Sequence, residues 1–191
     1  MKEVLPSLID DVQGAFVSGR SILENYLICQ DMLKDYGNKR KSPRCTIKVD
    51  TSKAYDSVSW SFIQDMLVCL GFPDKFVHWI MTCVTSPVYS ILINGGMYGF
   101  FKGQRGVRQE DPMCKQLRLD HLIFADDLMM FAHGEKLSIS YLTRALEMFG
   151  KVSGLQANSD KTAIYFGNVK EDVKQTILSA SGFAEGSMPF R

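Results

Sequence analysis

Hydrophobic and polar positions alternate along Cys45-Thr46-Ile47-Lys48-Val49-Asp50, putting Cys45, Ile47 and Val49 on one face and Thr46, Lys48 and Asp50 on the other. This is the two-residue period of a strand with one covered face, and the strand ends on a carboxylate. Upstream, Ser21-Ile-Leu-Glu24 has the spacing of a capping box, and Ile22, Tyr26, Leu33 and Tyr36 keep to one side of a helical period. A helix over 22–36, stopped by Gly37, is predicted. Two more helices are expected over 59–70, stopped by Gly71, and over 74–84, opened after Pro73 and halted before Pro87. Apolar runs at 88–93 and 97–101 flank Asn94-Gly95, the strongest short signal for a two-residue hairpin turn.

Residues 117–124 and 128–132 read as strands, interrupted by Ala125-Asp126-Asp127. Ile139, Leu142, Leu146 and Phe149 recur at helical spacing before Gly154, predicting a helix over 137–153. A strand at 162–166 and a helix at 170–180, closed by Gly182, complete the pattern. Apart from the hairpin, the order matches a split β-α-β arrangement. The expected fold is α+β, an antiparallel sheet with helices on one face.

Composition changes this picture little. With 191 residues, 46% hydrophobic and 23% charged, the chain is long enough for one core without disulfides or a structural metal. Twenty-two basic against 21 acidic residues leave a net charge of +1, so affinity for nucleic acid has to come from local clusters. Lys39-Arg40-Lys41-Ser42-Pro43-Arg44 is one such cluster, either a phosphate-contacting loop or a solvated connection. Cys29, Cys45, Cys69, Cys83 and Cys114 are odd in number and lack a C-x-x-C pair, which excludes a disulfide framework and a zinc ribbon and makes a reducing, intracellular compartment the default. No targeting signal is seen, and the uncharged run 76–101 is broken by turns, so it reads as a helix and hairpin and no membrane span is expected.

On the expected sheet, Asp50 at a strand end and Asp126-Asp127 at a hairpin tip can meet at one edge. Clustered carboxylates repel unless a cation offsets them, and oxygen-only ligands select Mg²⁺ or Mn²⁺. Two such ions would clamp the oxygens of a phosphoryl transfer. The bland alternative is that these acids are turn and cap residues.

Several segments then carry a resemblance. Gln13-Gly-Ala-Phe-Val-Ser-Gly-Arg-Ser-Ile22, Lys48-Val-Asp50-Thr-Ser-Lys-Ala-Tyr-Asp56-Ser-Val, Arg108-Gln-Glu-Asp-Pro112, His121-Leu-Ile-Phe-Ala-Asp-Asp-Leu128 and Gly154-Leu-Gln-Ala-Asn-Ser-Asp-Lys161 resemble, in order, motifs of reverse transcriptases of the non-LTR (LINE-type) retrotransposon branch, particularly the plant elements. The resemblance implies a polymerase palm over 45–168, a partial fingers segment over 1–44 and a C-terminal helix and tail over 169–191, with no thumb. It implies RNA-directed DNA polymerase chemistry, with RNA template, DNA primer and dNTP as partners, in the nucleus or cytoplasm.

By position, Asp50, Asp126 and Asp127 match the metal-holding catalytic acids, and Lys161 the lysine near the leaving phosphate. Tyr55 matches the residue that excludes a ribose 2′-hydroxyl, Gln109 and Arg108 the residues beside the nucleotide, and Arg20 the fingers arginine. Without that context, Tyr55 reads rather as a core aromatic, Gln109 as a loop residue and Lys161 as a turn residue; Asp56 reads as an N-cap for the next helix.

The sequence also departs from the family pattern. Arg-Gln-Gly-Asp-Pro is usual there, followed by a long apolar helix before the Ala-Asp-Asp hairpin; here Glu110 replaces the glycine. Only eight residues separate Pro112 from His121, at most about 29 Å of extended chain, so a helix near 113–117 is expected to have been excised. A catalytically dead relic or a non-catalytic nucleic-acid-binding remnant is the alternative function. The acids alone also fit another two-metal nucleotidyl transferase or cyclase.

Overall fold

The computed structural model describes residues 4–15, 17–107 and 127–187. Along the chain the elements are α1 (Leu5–Leu8), α2 (Ile22–Leu33), β1 (Arg44–Asp50), α3 (Ala54–Ser57), α4 (Trp60–Cys69), α5 (Asp74–Thr85), β2 (Val88–Ile93), β3 (Gly96–Lys102), β4 (Asp127–His133), α6 (Lys136–Ser153), β5 (Ala163–Gly167), α7 (Glu171–Ser181) and β6 (Ala184–Glu185). The strand expected over 117–124 and the excision expected near 113–117 lie outside the described residues. Two compact units divide the chain: Met1–Thr51 with Asp120–Leu146 and Ala157–Arg191, and Ser52–Leu119 with Glu147–Gln156.

The first unit is built on a four-stranded sheet in the order β4-β1-β5-β6. β1 lies antiparallel to both neighbours, and β6 joins β5 in parallel over two residues. Ile47 stands opposite Met130 on one side and Ile164 on the other; Cys45 stands opposite Ala132 and Phe166. Opposed residues share a face, and here that face is the core. Cys45, Ile47, Val49 and Ile164 pack with Ile139 and Leu142 of α6 and with Val173 and Ile177 of α7. Each fully buried isoleucine is worth about 1.5–3 kcal/mol.

The second face corrects the expected alternation. Thr46, expected on the polar side, is wholly buried, and its hydroxyl lies 2.7 Å from that of Tyr36. Tyr36 reaches it because α2 ends at Leu33 rather than at residue 36. Asp35 takes φ 57°, a left-handed turn that aspartate tolerates, which frees Tyr36 to fold over β1. Its hydroxyl also donates to the Tyr165 carbonyl at 3.4 Å. At the other end of α2 the Ser21 hydroxyl accepts from the Leu23 N–H at 3.2 Å, the expected cap.

In the second unit, Asn94 and Gly95 both have positive φ, 50° and 82°, the geometry of a type I′ turn joining β2 to β3. The register skips between Ser90 and Ile91, leaving Gly99 as a bulge. Ser59, not Asp56, stands at the N-cap of α4; Asp56 is inside the one-turn helix α3. The position before α4 is extended, as a cap requires, whereas Asp56 is already helical.

Candidate active site

β1 delivers Asp50 to the end of the first unit's sheet, and the register sets it opposite Asp127, the first residue of β4. The chain leaving β1 is held by the segment before β5. Thr51 bridges to Ala157, the Asn158 N–H donates to the Asp50 carbonyl at 2.8 Å, and the Asp50 N–H donates to Thr162 Oγ1 at 3.4 Å. Asn158 also shapes the turn that follows. Its Oδ1 accepts from the Asp160 N–H at 3.1 Å, and its carbonyl accepts from the N–H groups of Lys161 and Thr162 at 3.2 and 2.8 Å.

Lys161 rides on that turn with Nζ 4.0 Å from Asp50 Oδ2; its side chain is 67% exposed and that of Asp50 27%. A pair this open contributes at most about 1 kcal/mol. Lys161 is therefore a placed cation rather than a structural tie. Asn158 and Thr162 are the residues that sequence reasoning missed. The Asn-Ser-Asp spelling before Lys161 was a usable turn signal, since an asparagine side chain readily bonds a backbone N–H two residues on.

The donor chemistry fits a hard divalent cation. Asp50 offers carboxylate oxygens from a mostly covered position at a sheet end, and oxygen donors are what Mg²⁺ and Mn²⁺ select. Among the described residues no group of three or more His, Cys, Asp or Glu side chains is assembled. Asp126, expected to complete the set, lies outside the described residues, as do Arg108 and Gln109.

Tyr55 belongs to the second unit, on α3. Its carbonyl accepts from the Val107 N–H at 2.7 Å, and the Gly106 N–H donates to the Val58 carbonyl at 2.8 Å. Trp60 Nε1 donates to the Gly106 carbonyl at 2.7 Å. Gly106 has φ 82°, and a Cβ there would stand 2.8 Å from the carbonyl oxygens of Tyr55 and Asp56. Only glycine allows so close an approach. Tyr55, Tyr89, Phe101, Lys102, Arg105 and Gly106 are among the residues lining a groove of about 650 Å³.

Arg20, matched to the fingers arginine, is bound within its own loop. Its guanidinium donates to the carbonyls of Pro6, Ile9, Asp10 and Gln13, at 3.0, 2.8, 2.5 and 3.0 Å, and pairs with Asp11 at 2.9 Å. With its donors engaged this way, Arg20 ties the N-terminal loop together. Burial elsewhere moves two acids that take no part in this site: the Cys45 thiol and the Tyr36 phenol are both pushed up to about 12.

Comparison with known proteins matches residues 1–179 to the family described as reverse transcriptase (RNA-dependent DNA polymerase). The chain is similar to the retrovirus-related Pol polyprotein from the type-2 retrotransposable element R2DM of Drosophila melanogaster, at 28% identity over 203 residues, covering 93% of this chain and 19% of that protein. It is also similar to the transposon TX1 uncharacterized 149 kDa protein of Xenopus laevis, at 28% identity over 117 residues, covering 61% of this chain and 9% of that protein. The chain thus spans less than a fifth of either relative. Among solved structures, telomerase from Candida tropicalis bound to a TWJ fragment of telomeric RNA superposes with a TM-score of 0.54 at 14% identity, over 86% of this chain and 33% of that one. The apo telomerase truncated from its C-terminal domain gives 0.51 at 14% identity, over 79% and 36%. At that identity the likeness concerns the fold, which is α+β and polymerase palm-like.

Proposed function

The chain belongs to the reverse transcriptase (RNA-dependent DNA polymerase) family, and from that membership we propose that the Asp50 end of the sheet is the site of nucleotidyl transfer from a dNTP to a primer 3′-hydroxyl. The observation that carries this reading is the convergence of Asp50, the Asp127 backbone and Lys161 on one end of one sheet. Asp50, with Asp126 and Asp127, would hold Mg²⁺ or Mn²⁺. When bound, the metal supplies charge neutralisation and activation of the attacking hydroxyl. Lys161 faces the leaving phosphates as a proton donor, and Tyr55 screens the sugar. Arg108 and Gln109, which follow the clamped Gly106-Val107, flank the nucleotide. Arg20, the fingers arginine, would steady the loop that borders the substrate.

The motif spelling supports a LINE-type reading, nearest the plant elements, with fingers over 1–44, palm over 45–168 and a C-terminal helix and tail over 169–191. RNA template and DNA primer follow as partners, encountered in the nucleus or cytoplasm. No described helix is long and apolar enough to cross a membrane.

A second reading, a palm that binds nucleic acid without polymerising, is favoured by one observation. The alignment with the Drosophila element runs over 203 positions, more than the 191 residues of this chain. That element carries residues with no counterpart here, as a shortened domain would require. Thermal melting with and without Mn²⁺ and dNTP separates the readings. Stabilisation in the wild type but not in Asp126→Asn supports the polymerase site, and a melt indifferent to both supports the binding remnant.

A further inference from the structure

The loop between α2 and β1 carries Lys39, Arg40 and Lys41, at the opposite end of β1 from Asp50. The seven residues of that strand, at roughly 3.3 Å each, separate Arg44 from Asp50 by about 20 Å. A merely solvated connection has few fixed contacts, whereas this one is pinned from 127 and 129 residues away. Asn168, at φ 55°, donates its side-chain Nδ2 to the carbonyls of Lys41 and Lys39 at 2.5 and 3.2 Å. Within the loop, Asn38 Oδ1 accepts from the Arg40 N–H and the Asn38 carbonyl from the Lys41 N–H, both at 3.0 Å. Arg44 closes the base, donating to the Asp35 carbonyl at 2.5 Å with its guanidinium 4.8 Å over the Tyr36 ring.

The acids at this end are mostly engaged. Asp35 pairs with Lys41 at 3.9 Å, Glu135 accepts from the Ser138 hydroxyl at 2.9 Å, and Glu171 pairs with Lys174 at 3.6 Å; Asp172 stands in the first turn of α7. Among the described residues, Lys39 and Arg40 have no acidic side chain within ion-pairing distance, and neither do Lys136 and Lys170. Lys170 lies two residues beyond Asn168. Lys136 follows Gly134, whose N–H donates to the Pro43 carbonyl at 3.0 Å. Cations held on a fixed scaffold without counter-charge are what a phosphate chain needs, because the ordering cost is met before binding.

We propose that this end of the sheet is a second nucleic-acid surface, gripping the phosphodiester backbone of a segment that lies away from the reaction at Asp50. The inference rests on the reading that nucleic acid is this chain's partner. It adds a contact that no part of the transfer chemistry requires.

Fluorescence anisotropy tests it, with labelled single-stranded RNA and DNA of one sequence, about 30 nucleotides long, titrated between about 50 and 200 mM salt. Lys39→Ala/Arg40→Ala should weaken binding several-fold and reduce the slope of log affinity against log salt by about 1.4, at roughly 0.7 per lost contact on a single strand. Asn168→Gly keeps every charge and the left-handed backbone but unties the loop; it should weaken binding with a smaller change in slope. Equal losses on RNA and DNA assign the contact to shared phosphate chemistry, and a loss confined to RNA assigns it to an RNA partner. Unchanged affinity and slope in the double variant, with wild-type binding intact and melting unaltered, overturns this surface alone. A wild-type chain that binds neither strand overturns the nucleic-acid reading as well.

Discussion

The Asn158 N–H donates to the Asp50 carbonyl at 2.8 Å, so the turn carrying Lys161 is fastened to the same residue whose carboxylate Lys161 faces. Because the fastening uses Asp50's backbone, the carboxylate can be altered without undoing it. Asp50→Asn should change stability by no more than about 1 kcal/mol, the scale of an exposed pair. It should nevertheless abolish stabilisation by Mn²⁺ with dNTP and any templated extension. Melting curves with and without the ligands, read beside primer extension, check both halves. Retained metal-dependent stabilisation in the variant would remove Asp50 from the proposed site.

Gly106 makes a different demand, since it combines φ 82° with backbone oxygens 2.8 Å from where a Cβ would be. Gly106→Ala therefore carries both backbone strain, of order 1–3 kcal/mol, and displacement of the segment clamped to Tyr55. Gly95 has the same φ of 82° but nothing within 4 Å of its Cβ position, so Gly95→Ala carries the strain alone. Urea denaturation should show the larger loss for Gly106→Ala. Equal losses would mean that the clamp on α3 is loose.

The elements most legible in the sequence were those whose signals are local. Asn94-Gly95 prescribed a hairpin turn by backbone conformation alone, and the alternation of Cys45, Ile47 and Val49 gave the core face of β1. Gly71, Gly154 and Gly182 marked helix ends and have positive φ. What escaped was set by distant partners. Thr46 looks polar and exposed until Tyr36 closes over it, which depends on a left-handed residue at Asp35 rather than on the obvious Gly37. Arg20's place in its loop was not legible either, because four carbonyls from a loop without regular period cannot be anticipated as its partners. Asp50 and Lys161 were legible as candidates, but the pin through Asn158 and Thr162 that brings them together was not.

Alkaline pH should destabilise the fold through Cys45 and Tyr36. Burial raises the Cys45 thiol from 9.0 and the Tyr36 phenol from 10.0, each to about 12. Below pH 9 both are protonated in folded and unfolded chains, so neither makes stability depend on pH. Above it the unfolded chain releases the Cys45 proton while the folded one keeps it, and stability falls by about 1.4 kcal/mol per pH unit. From pH 10 Tyr36 steepens the fall until both folded groups titrate near 12. Cys29, also raised by burial, acts in the same direction. Urea midpoints taken from pH 8 to 11 should decline accordingly, and Cys45→Ala should flatten the segment between 9 and 10. A decline of the same slope in that variant would place the titration elsewhere.

Tyr36 and Thr46 supply a sharper test of the face that the sequence did not reveal. Their hydroxyls lie 2.7 Å apart, both residues are buried, and the Tyr165 carbonyl is the other acceptor within reach. Tyr36→Phe leaves the Thr46 hydroxyl without its tyrosine partner, and Thr46→Val does the reverse while keeping the side chain's shape. Tyr36→Phe should cost about 1–3 kcal/mol, since a buried polar group that loses its partner bears its full desolvation penalty, and Thr46→Val should cost less, because the Tyr36 hydroxyl keeps the Tyr165 carbonyl. Replacing both removes the stranded group, so the double variant should cost clearly less than the two single losses together, with a coupling above about 0.5 kcal/mol. Equilibrium urea unfolding of the four proteins measures it directly. Additive losses would mean that the two hydroxyls do not bond across this face, and that Tyr36 covers β1 through its ring alone.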